Sequence, residues 1–443
     1  MPNPPEADVA AVCERLRADG VDVVRVSYPD LIGVDRGRDV LLDELPAAVG
    51  HGLAFCRAVY HTSPMGDVVP VEGGLEAGLP DIHVVPDLSS LTALPWEPNA
   101  AWCIGEAFTP DGAAAPEAPR TVVRRVAERL SALGYELACG PELEFYLCQQ
   151  APDGRWRRYA DDPGNVYVVG RKGDPQGLLL HMLRQLRDAG LQVTAANHEF
   201  SPGQFEINLA HSPLVYAADR SFRLKSAVQE IARHEGMLAT FMAKPFNGIS
   251  GCSMHLHVSL WKDGEPAFAP ENGSENPLMR SALGGLLQHL DGIALYGSPT
   301  VNSYKRFELD SFAPVNVSWG GDNRTVSIRS LIESPGATRI ELRTPAADAN
   351  PYWAAAALLT AIATGIEDGA DPGTRGEGYL YGVGEELPQT LGDAIRAARA
   401  DERIVELLGR QAVEDLLLLS SKEWRAFTTQ VSAWDIERYQ GAI

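Results

Sequence analysis

Apolar positions recur along most of the chain with one of two periods, and the charged positions that interrupt them are the informative ones. Residues 6–19 place Val9, Val12, Cys13 and Leu16 on one side, which predicts a short amphipathic helix. Val21-Asp22-Val23-Val24-Arg25-Val26 reads as a strand, followed by a breaker-rich turn from Tyr28 to Gly33. Further strand-like pieces lie at 38–42 and 81–86, with a loop rich in Gly and Pro at 64–80. The stretch 109–119, TPDGAAAPEAP, reads as a linker or an exposed hairpin tip. A boundary there divides the chain into residues 1–112, a small α+β unit, and residues 113–443. Val122, Val123, Val126 and Leu130 are spaced for one face of a helix at 120–133. Beyond it strands and helices alternate, with helices predicted at 175–189, 213–235, 277–295, 350–367, 391–398 and 401–409.

One strand-sized stretch organises the rest: Gly140-Pro141-Glu142-Leu143-Glu144-Phe145-Tyr146-Leu147. Its surroundings are apolar, so a strand here is expected to be buried. Yet Glu142 and Glu144 are two residues apart, which puts both carboxylates on one face. Two desolvated carboxylates repel, so either one takes up a proton or a cation sits between them.

The same oddity repeats. In Met254–Leu260, His255, His257 and Ser259 share one face while Leu256 and Val258 point the other way. In Arg339–Arg343, Arg339, Glu341 and Arg343 fall together. HEFSPGQFEI at 198–207 sets Glu199 and Glu206 either side of a Pro-Gly turn, and NRTVSIR at 323–329 offers Arg324 and Arg329. A wet sheet face built for solubility uses Lys, Thr, Ser and Gln; these faces hold Glu, His and Arg. Five Glu and one His suit two sites for hard divalent cations, Mg²⁺ or Mn²⁺. The arginines suit a phosphate-rich anion, which guanidinium grips bidentately. Acids, divalent metals and arginines in one cavity point to phosphoryl transfer.

Composition narrows this further. Asp and Glu outnumber Lys and Arg 59 to 38, a net charge of −21, which argues against a nucleic-acid partner. No apolar run reaches membrane-spanning length, and MPNPPEADVA lacks the regions of a signal peptide. The six cysteines include no CxxC pair and read as reduced, mostly buried thiols of a cytoplasmic protein.

The blocks PELEF (141–145), HEFSPGQFEI (198–207), FMAKPF (241–246), SGCSMHLHVS (250–259), NSYKRF (302–307), NRTVSIR (323–329) and RIELRTPAADANPYW (339–353) resemble, in order, the signature blocks of the glutamine synthetase superfamily, type I. The resemblance runs from about residue 20 to the end. It implies an α+β fold, with an N-terminal β-grasp domain and a catalytic domain whose antiparallel strands form a funnel. It also implies double hexameric rings with active sites between neighbouring subunits.

Carried over residue by residue, the resemblance implies one metal site of Glu144, Glu199 and Glu206 and another of Glu142, His255 and Glu341, each for Mg²⁺ or Mn²⁺. It implies ATP contacts from His257 and Ser259 near the adenosine and from Arg324, Arg329 and Arg339 along the nucleotide and phosphates. Glutamate contacts fall to Arg306, Arg343 and the backbone around Gly251. Arg306, Arg324 and Arg329 are thereby expected in the catalytic machinery, and Glu199 is the retained candidate for the base. The implied reaction joins glutamate, activated by ATP as an acyl phosphate, to an amine.

Three positions depart from the family pattern. Ammonia-using members carry a Glu in the flap ahead of an Ala-Pro pair; in Phe307–Pro314 that register holds Phe312. An Asp in an N-terminal F-D-G-S-S block is matched by Cys56, and an Asn beside the glutamate-contacting Gly by Ser250. A Phe and a Cys cannot bind and deprotonate ammonium, but they can line a partly apolar slot for an alkyl or aryl amine. Glu308 or Asp310 could swing into the missing role, or hold the distal ammonium of a diamine. The chain is thus most similar to the γ-glutamyl-amine branch, with polyamines, ethanolamine or other monoamines as acceptors. An ammonium-using glutamine synthetase and a non-catalytic nucleotide or amine sensor are the alternatives. Tyr381, aligned with the family's adenylylated tyrosine, lacks that site's acidic neighbour.

Overall fold

A computed structural model describes residues 6–161 and 166–442. The reading of the first five residues lies outside the described part. The architecture is α+β, built on two sheets.

The first sheet runs in the order Asp35–Leu41, Val23–Pro29, Ala100–Phe108, Asp81–Pro86, Leu53–Cys56. Val23–Pro29 and Ala100–Phe108 pair parallel at its centre and the outer pairs are antiparallel, the mixed sheet of a β-grasp. The helix Glu6–Ala18 packs through Val9, Cys13 and Leu16. Ala100–Phe108 was not anticipated: it reads AAWCIGEAF, and residues on both of its faces are buried, so it carries no alternation.

Among the described residues the second sheet has eleven strands. Its main path is Trp319–Gly320, Ile328–Leu331, Arg339–Leu342, Met254–Lys262, Glu136–Gln150, Gln204–Leu209, Val193–His198. The predicted strand at 140–147 is the middle of Glu136–Gln150, which pairs with Met254–Lys262 on one side and Gln204–Leu209 on the other. Leu137, Cys139, Leu143 and Phe145 are buried in the core, and the alternate positions turn to the opposite face.

Helices back the sheet. Pro119–Ala132, Leu178–Asp188, Leu214–His234, Pro277–Gly297, Pro351–Asp368, Leu391–Ala400 and Glu402–Leu408 lie where periodicity placed them. Pro351–Asp368 is buried along most of its length. It meets Pro277–Gly297 so closely that a Cβ on Gly285 would lie 2.2 Å from the Ala361 carbonyl oxygen. The helices Leu45–His51, Arg410–Thr429 and Ala433–Tyr439 were not anticipated. In Arg410–Thr429 the run Leu416-Leu417-Leu418-Leu419 hides the helical period.

The stretch 109–119 begins as an exposed tip, with Thr109 N donating to Ala113 O at 2.8 Å. It ends packed: Ala115 and Ala118 are buried, and the buried Glu117 pairs with Arg57 at 2.5 Å. The two sheets are tied by buried polar contacts. Arg120 bonds Asp219 at 2.7 Å, Asp87 at 2.8 Å and Glu106. Asn350, which caps the Pro351 helix, donates to the carbonyls of Asp30 and Leu31 at 3.0 and 3.3 Å. Among the described residues no helix is long and apolar enough to cross a membrane. All six cysteines are free and only Cys56 is exposed.

Candidate active site

Strand register assembles the site. Glu142 stands opposite His255 on one side and Asn208 on the other. One step along, Gly140, His257, Glu341 and Arg329 face one another across four strands. One step the other way, Glu144 faces Glu206. Residues in register point to the same face, so three rows of acid, imidazole and guanidinium converge. They line a cavity of about 480 Å³ together with Glu199, Arg306, Arg324, Arg339, Arg343, Ser250, Gly251 and Phe312.

Every expected metal ligand therefore lines one cavity, but their donor atoms group differently from the two expected triads. Donor atoms of Glu142, Glu206 and His255 lie within 4.8 Å of one another, as do those of Glu142, His257 and Glu341. Glu142 belongs to both groups, with His255 Nδ1 at 3.6 Å and His257 Nε2 at 3.3 Å. Arg339 Nε donates to His257 Nδ1 at 3.2 Å, so His257 carries its proton on Nε2 in this arrangement. The buried Nε2 of His255 and of His257 both lack a hydrogen-bond partner, and His255 has no guanidinium on its other nitrogen.

The protonation pattern fits a cation-binding cluster. Burial opposes ionisation of Glu142, but His255 and His257 outweigh it and hold its carboxyl well below the usual range. Burial and the Arg343 guanidinium push His255 down to about 4, so its imidazole is neutral. Burial likewise opposes ionisation of Glu341, but Arg343, His255, His257 and Arg329 together outweigh it, giving about 2. The other acids go the opposite way. Burial, then Glu142 and Glu199, raise Glu206 to about 8. Burial, then Glu199 and Glu206, raise Glu144, and burial raises Glu199. Crowded, desolvated carboxylates beside a neutral imidazole suit Mg²⁺ or Mn²⁺, because a divalent charge relieves the repulsion that now protonates them.

Neighbours fix these side chains. Gln204 Nε2 donates to Glu144 at 3.2 Å and to the Gly251 carbonyl at 2.8 Å, and Ser253 N donates to Glu144 at 2.9 Å. Asn208 donates to Glu206 at 3.1 Å and Asn197 to Glu199 at 2.7 Å. Glu341 takes Arg343 at 2.6 Å and also Arg329, which in turn pairs with Asp322. Arg306 is 1% exposed, donates to Ser253 Oγ at 2.7 Å and to Thr344 O, and keeps its Nε unpartnered. It packs under Gly251, where a Cβ would fall 2.6 Å from Arg306 Cγ. Arg324 is exposed at the rim.

Two expected residues lie elsewhere. Ser259 lines an adjoining cavity, also of about 480 Å³, that shares Glu142, His257 and Arg339 with the first. Cys56 is exposed on the edge strand Leu53–Cys56 and does not line the cavity of its own chain. The expectation that placed it in an amine slot requires a second copy. Phe200, Tyr167 and Gln204 line the cavity and were not anticipated. For Phe200 the available signal was its place directly after Glu199. A wider hollow of about 670 Å³ lies elsewhere, between Arg25–Asp39 and Glu230–His234, where Arg25 is paired with Asp39 and Glu230.

Comparison with known proteins agrees with the geometry. Residues 116–439 match the family described as glutamine synthetase, catalytic domain. A glutamine synthetase of Halobacterium salinarum is 31% identical over 97% of this chain and 96% of its own. A glutamate–isopropylamine ligase of a Pseudomonas species is 32% identical over 98% of both. The solved structure described as "Apo GmaS without ligand" superposes with a TM-score of 0.86 at 31% identity, covering 97% of this chain and 99% of that one. With a funnel of register-matched acids, and with full-length relatives at that identity, the chain belongs to the glutamine synthetase family.

Proposed function

We propose that the protein is an ATP-dependent ligase that joins the γ-carboxylate of glutamate to a primary amine through a γ-glutamyl phosphate. The observation that carries the amine reading is the ring of Phe312 in the cavity wall, at the flap position where the family pattern for ammonia use has a Glu. The Pseudomonas relative named as an isopropylamine ligase supports it.

In this reading a γ-carboxylate oxygen attacks the γ-phosphorus of ATP and ADP leaves. The amine nitrogen then attacks the acyl carbon, inorganic phosphate leaves, and the amine proton passes to a base. Glu144, Glu199 and Glu206, with Glu142, His255 and Glu341, would hold two divalent ions, which supply the charge that lets two anions approach. Arg324, Arg329 and Arg339 bind the nucleotide and phosphates. In this reading His257 and Ser259, which line the adjoining cavity, contact the adenosine. Arg306 and Arg343, beside Gly251 and Ser250, bind glutamate. Glu199 takes the proton. An alkylamine with a pKa of about 10 arrives protonated, so a carboxylate raised by burial is suited to that task. The proposal includes a cytoplasmic location and a double hexameric ring.

A second reading keeps ammonium as the nitrogen donor; the glutamine synthetases among the full-length relatives favour it. Phosphate release from ATP and glutamate, measured with ammonium and a panel of primary amines at matched concentrations, separates the two. Faster release with an organic amine is expected. Equal or faster release with ammonium would overturn the amine reading.

A further inference from the structure

Phe312 does not line the cavity alone. Its ring stacks on Phe200, with centroids 4.5 Å apart and planes 17° apart. Both side chains remain 46% exposed, and both border the cavity. The pair joins the turn after Val193–His198 to the flap, two segments far apart in sequence.

The flap is held in a specific shape. Phe312 has φ 62°, a conformation uncommon for a bulky residue, and Asp310 has φ 61°. Arg343 donates to the Phe312 carbonyl oxygen at 3.1 Å. The same guanidinium grips Glu341 at 2.6 Å, so the aromatic wall is tied to the acid cluster through one side chain.

The nearby acids are engaged elsewhere. Glu308 pairs with Lys244 at 2.7 Å, and Asp310 accepts from Tyr379 Oη at 2.7 Å. Neither lines the cavity, whereas Ser311, Phe312 and Ala313 do. No flap carboxylate is therefore offered to ammonium or to a second positive charge on the acceptor. What the flap offers is aromatic surface, which favours an apolar body and tolerates a single ammonium at a ring face.

We propose that the Phe200–Phe312 stack is the wall of the amine subsite, and that the acceptor is a monoamine with an apolar body rather than ammonium, a diamine or a polyamine. This rests on the ligase reading above and narrows its substrate class.

The test measures kcat/KM for phosphate release with ammonium, methylamine, butylamine and putrescine. It uses wild type, Phe200→Ala, Phe312→Ala and the conservative Phe200→Leu. In wild type, kcat/KM should rise about fourfold per buried methylene from methylamine to butylamine. Butylamine should exceed putrescine, its diamine counterpart, by at least tenfold. Each Ala variant should lose at least tenfold with butylamine while the KM values for ATP and glutamate stay unchanged, and Phe200→Leu should retain most of the activity. Circular dichroism checks folding, and if an Ala variant fails to fold, Phe200→Gln, polar and of similar reach, decides: a loss confined to butylamine supports the wall, and no loss overturns it. Putrescine equal to or better than butylamine overturns the monoamine inference and leaves the ligase reading standing. Variants that lose nothing with butylamine, or lose ATP and glutamate affinity equally, overturn the wall. Ammonium as the best acceptor overturns the amine reading itself.

Discussion

Glu142 stands directly opposite His255 in the antiparallel pairing of Glu136–Gln150 with Met254–Lys262, its carboxylate 3.6 Å from His255 Nδ1. Glu142 is also the one acid common to both clusters of potential ligands. Replacing it by Gln keeps the shape and removes the charge. Glu142→Gln should lower turnover at least about 10³-fold with every amine, in the range expected when preorganised electrostatic stabilisation is lost. The stabilisation by Mg²⁺ in thermal unfolding should shrink with it. Wild-type turnover in this variant would remove Glu142 from the metal site.

A second expectation concerns pH. Glu206 titrates at about 8 in the folded chain against an ordinary value of about 4.3. Between those values the folded state holds a proton that the unfolded state has lost, so metal-free stability falls as pH rises. Below about 6.5 the depressed His255 acts in the opposite direction, because the unfolded imidazole then binds the proton. The clean window is therefore about 6.5 to 8. Thermal unfolding in EDTA should shift to lower temperature across it, and the gain on adding Mg²⁺ should be larger at pH 8 than at pH 6.5, since binding expels the proton. A flat profile with and without metal would contradict the crowded-carboxylate picture.

The flap predicts a change of donor. Phe312→Glu returns a carboxylate to the position that carries one in ammonia-using members of the family. The ratio of kcat/KM for ammonium to that for butylamine should rise at least about tenfold, given that an opposite charge in a desolvated site is worth more than one pKa unit, about 1.4 kcal/mol. Steady-state phosphate release reads it directly. An unchanged ratio would detach the flap from amine choice.

Close packing supplies a fourth. A methyl added at Gly251 would sit 2.5 Å from the Ala243 carbonyl oxygen and 2.6 Å from Arg306 Cγ, so one of them must move. Gly251→Ala should cost about 1–3 kcal/mol of stability and raise the KM for glutamate more than that for ATP. Chemical denaturation and substrate titrations check the two halves separately.

The site was legible because its chemistry violates the pattern of its own strands. Glu142 and Glu144, His255 and His257, and Glu341 and Arg343 each repeat every second residue among buried apolar neighbours, and that is visible in one dimension. Ala100–Phe108 was not legible, because burial on both faces erases alternation. Nor was the Phe200–Phe312 stack, since contact between two turns is decided by folding and leaves no spacing to read. Which acids share which cluster was also hidden: register sets Glu206 opposite Glu144, yet its donor atom groups with those of Glu142 and His255.

Register also sets what the gene can tolerate. Side chains on Glu136–Gln150 alternate between cavity and core, so a codon inserted between Leu137 and Glu142 would send both carboxylates into the apolar interior and bring Leu143 out among the arginines. Substitutions along this strand are graded in their effect, whereas length changes within it are all-or-nothing. Insertions and deletions that preserve activity should instead collect at the Thr109–Ala113 tip, where the backbone is exposed and no row of catalytic groups is counted from it.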